Sequence, residues 1–149
     1  MILIKNKIKK IKINETNIKR NVTKMLAFLG YQSFDIGIWF TTNNTIQRYN
    51  KQYRKKDKPT DILSFPYHTK LKPGQKIIIK TKDDKSLGDI IISLEFCKKS
   101  ARILNISLQT HLNQLLAHGI AHLLGYTHNT EKNHKQMKTI EHKLSKCLL

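Results

Sequence analysis

The segment Leu115 to His128, LLAHGIAHLLGYTH, constrains this chain more than any other stretch of its sequence. On a helix, residues four apart project from one face, so His118 and His122 can share a single metal ion. Gly125 can take the left-handed conformation that ends a helix and turns the chain back. That reversal brings His128 round as a third nitrogen donor. Three neutral imidazoles leave one zinc position open for water, the arrangement of a catalytic rather than a structural site. Zinc lowers the pKa of such a water to about 7. The spacing therefore predicts a zinc centre, one ion per chain, on a C-terminal helix and the turn after it.

The other histidines carry less. His111 lies seven residues before His118 on the same helical stripe, ~10 Å away along the axis and too far to share the ion. It is expected either to touch substrate in the same groove or to be a polar residue at its edge. His134 and His142 have no ligand spacing, and His68 sits in a loop. The H-x3-H-x2-G-x2-H pattern also invites comparison with the long-motif zinc proteases, in which glutamate follows the first histidine as general base. Here that position is Gly119, which cannot accept a proton, so a peptidase built this way lacks its base.

Charge points to the partner. Lys and Arg number 28 against 10 acidic residues in 149, a formal net charge of +18. Such an excess attracts polyanions, since neutralised phosphates release counterions. Most of it is lysine; the arginines are Arg20, Arg48, Arg54 and Arg102. RNA fits this surface better than compositional drift does. Cys97 and Cys147 form no CxxC unit, and the N-terminus interleaves Ile with Lys rather than forming an apolar leader. No stretch is long enough to span a bilayer, so a cytoplasmic setting is expected.

The chain reads as one α+β domain over residues 1–149, with helices packed on a small mixed sheet. Ile2, Ile4, Ile11 and Ile13 alternate with polar residues and predict a strand bent near Lys9-Lys10. Asn14 to Gly30 predicts an amphipathic helix, Phe34 to Phe40 a second strand, and Asn44 to Tyr53 a short helix. Pro59-Thr60-Asp61 punctuates, and Ile62 to Phe65 follows as a strand closed by Pro66. Tyr67 to Ser86 is a Lys-rich excursion with a little strand at Ile77 to Ile79, and Leu87 to Ser93 is the fourth main strand. Helices are expected over Leu94 to Leu104, Ser107 to Leu124 and Thr130 to Cys147.

HGIAHLLGYTH, from His118 to His128, resembles the hallmark of the YbeY family of bacterial rRNA-maturation endoribonucleases. Tyr53-Arg54 followed by DKPTDILSFP, from Asp57 to Pro66, is similar to the family's central segment. Leu87-Gly88-Asp89-Ile90 is similar to its LGDI strand. The resemblance implies a metal-dependent endoribonuclease preferring single strands, acting in 16S rRNA 3′-end maturation and ribosome quality control. Its substrate would be the small-subunit precursor, with ribosomal proteins nearby. It implies zinc ligation by His118, His122 and His128, and a functional role for Arg54. Two departures stand out: Ala121 for a usual Leu, and Thr127 for the usual Asp beside the third ligand. The second removes a carboxylate that could orient a histidine or a water.

The residues support Arg54 independently. It lies near the end of a basic, aromatic stretch from Arg48 to Lys56, and guanidinium offers bidentate contact to a phosphate. Asp89 is expected to orient a ligand or to touch a partner, and Asp61 to cap a turn. Water and the RNA 2′-hydroxyl both remain open as nucleophile. A zinc-stabilised assembly factor without catalysis is the alternative reading, and a zinc peptidase the weaker one.

Overall fold

The computed structural model describes all 149 residues. Its elements are β1 (Ile2–Asn6), α1 (Glu15–Phe28), β2 (Asp35–Thr41), α2 (Asn43–Arg54), β3 (Ile62–Pro66), β4 (Ser86–Ser93), α3 (Leu94–Leu104), α4 (Leu108–Leu123) and α5 (Glu131–Lys146). The strands form one sheet in the order β1-β2-β4-β3; β1, β2 and β4 run parallel, and β3 pairs antiparallel with β4 at the edge.

Alternation explains which face is buried. Ile36, Ile38 and Phe40 of β2 and Ile90 and Ile92 of β4 enter the main core, where they meet Ile18, Val22 and Met25 of α1 and Leu112, Leu116 and Ile120 of α4. In β4 the alternation is shifted by a bulge: Asp35 pairs with Ser86 but Ile36 with Gly88, so Leu87 is the extra residue. Leu87 and Ile90 therefore both reach the core, while Asp89 faces the other side. There, Ile46 of α2, Leu63 and Ile91 make a small second cluster flanked by Trp39, Tyr49 and Phe65.

Two sequence expectations are corrected. The N-terminal strand stops at Asn6, and Ile11 and Ile13 lie in an irregular segment whose side chains still pack on the core. The partner runs out: Asn6 pairs with Phe40, and Thr42 is already the N-cap of α2. The Asn6 side chain then accepts the Ile8 amide and turns the chain. Ile77 to Ile79 form no strand either; the Ile77 amide donates to the Tyr31 hydroxyl, and Ile78 and Ile79 are exposed. The remaining elements lie within a few residues of expectation, and Pro66 ends β3 on the sheet edge, where a missing amide is tolerated.

Candidate metal centre

α4 is capped by Ser107, whose hydroxyl accepts the Thr110 amide, and it runs across the core face of the sheet. Gly119 lies close on the sheet: a Cβ there would sit 2.8 Å from Ile90 Cδ1 and 3.0 Å from Ile62 Cδ1. Position 119 is thus a packing position pressed on the sheet, and it does not face the cleft that holds the histidines. One residue away, His118 is half-buried on the open side, and His122 is one turn further on.

The turn after α4 is fixed by Gly125, at φ +93°. Its missing side chain also lets the Leu71 carbonyl lie against it, so the excursion after β3 is pinned across the turn. The three imidazoles consequently meet: His118, His122 and His128 each present a ring nitrogen, all within 4.8 Å of one another. The Nε2 atoms of His118 and His122 face each other at 3.1 Å. Four-coordinate zinc with Zn–N distances of about 2.0–2.1 Å needs nitrogen spacings of roughly 3.3 Å. The helical pair already has that spacing, and His128, exposed on the turn, brings a ring nitrogen within 4.8 Å of both. The donors fit a metal ion.

Electrostatics agree with that chemistry. Burial, followed by the neighbouring His118 and His128, lowers the His122 pKa to about 4; the Tyr126 backbone and Glu141 oppose more weakly. His122 is therefore neutral at physiological pH, as a ligand must be. His118 Nδ1 donates to the Glu141 carboxylate of α5. For Glu141, burial pushes the pKa up, but the hydrogen bond and charge of His118, with Lys138 and His122, outweigh it and hold the group below its ordinary value.

The histidines open into a cleft of ≈ 800 Å3. Its lining also includes Tyr53 and Arg54 from the end of α2, Thr60, Asp61 and Ser64 around β3, His68 and Leu71 from the excursion, and Thr127 in the turn. Arg54 is exposed and enters none of the ion pairs. Asp61 accepts the Ile62 amide at the mouth of β3, a turn contact as expected.

Two candidates lie elsewhere. His111 does not line the cleft: it is 6% exposed, with both ring nitrogens buried and unpartnered. It shares a stripe with His118, but the cleft occupies only the C-terminal end of that stripe. Asp89 also does not line it. The bulge at Leu87 turns Asp89 to the opposite face, into a more apolar groove of ≈ 670 Å3 with Trp39, Tyr49 and Tyr53, where its carboxylate fills the space beside Gly37. One residue of the site was missed from sequence. Glu141 stands four residues after buried Met137 and three before buried Leu144, so a carboxylate on an apolar helical stripe was the available signal.

Fold and cleft together define a small α+β protein with a three-histidine cluster suited to a metal ion. The family model for endoribonuclease YbeY matches residues 3–148, and the chain belongs to that family. The endoribonuclease YbeY of Aquifex aeolicus is 37% identical over 147 residues, covering 95% of this chain and 91% of that protein. The human endoribonuclease YbeY is 36% identical over 140 residues, covering 91% of this chain and 81% of its own length. The fold is similar to the solution structure of a Thermotoga maritima protein, with a TM-score of 0.65 at 23% identity, covering 99% of this chain and 89% of the other. No helix is long and apolar enough to cross a membrane.

Proposed function

We propose that this chain, as one domain over residues 1–149, is a zinc-dependent endoribonuclease that prefers single-stranded RNA. Its setting is 16S rRNA 3′-end maturation and ribosome quality control in the cytoplasm, on the small-subunit precursor and beside ribosomal proteins. The family supplies the reaction class. The observation that carries the metal chemistry is the convergence of three histidine nitrogens within 4.8 Å in a cleft that Arg54 also lines. Two free cysteines, Cys97 and Cys147, suit a reducing compartment.

His118, His122 and His128 would hold the ion, which when bound supplies Lewis acidity toward the phosphodiester. His122 offers its lone pair without first losing a proton. The Arg54 guanidinium grips two phosphate oxygens in a fork and opposes the negative charge that builds on them during cleavage. With no carboxylate holding it, Arg54 is free to do so. Surface lysines contribute sequence-independent attraction to flanking phosphates. A single strand can be splayed into such a cleft, whereas a duplex cannot. Gly119, pressed on the sheet, leaves the peptidase reading without its glutamate.

The test is to incubate metal-loaded protein with single-stranded rRNA fragments, a matched duplex and casein, each with and without chelator. The expected result is chelator-sensitive cutting of the single strand, much slower cutting of the duplex, and loss of both in His122→Ala. Casein cleavage would identify a peptidase. Tight binding to precursor particles without cleavage would identify an assembly factor. Equal rates on single strand and duplex contradict the proposal.

A further inference from the structure

We propose that Glu141 is a positioning residue for the metal centre, its carboxylate holding His118 as the tautomer whose Nε2 carries the free lone pair. The inference rests on the metal reading of the three histidines and adds to it a residue from a different helix.

The placement is unusual for a glutamate. Met137 and Leu144 of α5 are 2% and 0% exposed, and Glu141 lies between them on the stripe that packs against α4. Its side chain is 18% exposed. A carboxylate withdrawn from water requires a partner that satisfies it. That partner is His118 Nδ1, twenty-three residues earlier in the chain. An ionised carboxylate only accepts hydrogen bonds, so the shared proton sits on Nδ1. His118 Nε2 is then bare, and it is this atom that faces His122 Nε2 at 3.1 Å. Had the proton been on Nε2, His118 could not ligate from the side on which His122 stands.

The same contact fixes the ring. Glu141 meets His118 on the side away from His122, anchors its plane, and makes the donor more basic, as carboxylates behind metal-bound histidines do. The turn beside His128 offers only the neutral hydroxyl of Thr127, while the carboxylate on His118 comes from α5.

The experiment compares zinc affinity, by competition with a chromophoric chelator, in the wild type, Glu141→Gln and Glu141→Ala, with apo-protein melting as a check on folding. Cobalt substitution adds an absorption spectrum that reports ligand geometry. Glu141→Ala should weaken zinc on the order of 10- to 100-fold and alter the cobalt spectrum. Glu141→Gln keeps an acceptor for the Nδ1 proton but loses the charge, and should fall between. In a His118→Ala background, Glu141→Ala should have no further effect on affinity. Wild-type affinity and spectrum in folded Glu141→Ala, or in folded Glu141→Gln if the alanine variant does not fold, overturn the inference while leaving the metal centre standing. Failure of the wild type to bind zinc overturns both.

Discussion

Gly125 and Leu71 are in direct backbone contact: the left-handed turn that ends α4 lies against the Leu71 carbonyl, in space a side chain would need. One residue thus serves two purposes, reversing the chain toward His128 and seating the excursion that supplies His68 and Leu71 to the cleft. Gly125→Ala should cost about 2 kcal/mol or more, from the positive φ and the clash with backbone that cannot retreat. Urea denaturation measures this, and elemental analysis should show reduced zinc. An unchanged midpoint would mean the excursion is not pinned there.

Arg54 should separate charge from shape. Arg54→Lys keeps the charge but loses the fork, and should lower RNA cleavage roughly tenfold; Arg54→Ala should lower it about 100-fold. Because the side chain is exposed and unpaired, zinc content and melting temperature should not move. Equal activity in Arg54→Ala and wild type would reduce the residue to a surface charge.

The apo protein should lose stability in acid over a defined window. The His122 pKa is about 4 in the folded chain against an ordinary 6.5. Between those values the unfolded chain binds more protons, so stability rises with pH there and is complete above the upper one. Glu141, held below its ordinary 4.5, acts in the same direction at the lower end, its contribution fading as pH falls through the lowered value. Melting curves of metal-free protein should be level near neutrality and fall steadily from pH 6.5 to 4. The decline should be smaller in His122→Ala, and an equal decline there would remove His122 as its source.

His111 makes the opposite kind of prediction. Both of its nitrogens are buried without partners, a cost that an apolar side chain of similar size avoids. His111→Leu should stabilise the protein by about 1 kcal/mol with cleavage unaffected. A variant of lower stability or activity would show that the imidazole has a partner or a role.

The histidine cluster was legible because its determinants are local. Helical spacing puts His118 over His122, and a glycine three residues later is enough to announce the turn to His128. Arg54 came instead from the resemblance of its segment, and it lines the same cleft. What the sequence did not disclose depends on packing between distant elements. Ile11 and Ile13 alternate like a strand, but alternation cannot tell where the neighbouring strand ends. The place of Asp89 depends on a one-residue bulge at Leu87, which decides the face it occupies and which alternation alone does not reveal. Glu141 carries no local signal of its partner, which lies on another helix, and the stripe that holds His111 continues past the point where the cleft ends.

The contact beneath Gly119 bears on how this scaffold could ever change its reaction. In the long-motif zinc proteases the residue after the first histidine is the working glutamate; here the same position is where a helix rests on Ile62 and Ile90. A glutamate introduced at 119 would point into that apolar floor, where the Ile90 and Ile62 side chains would have to shift to admit it, and not into the cleft that holds the histidines. The two chemistries, so close as strings of letters, are separated by what position 119 rests upon.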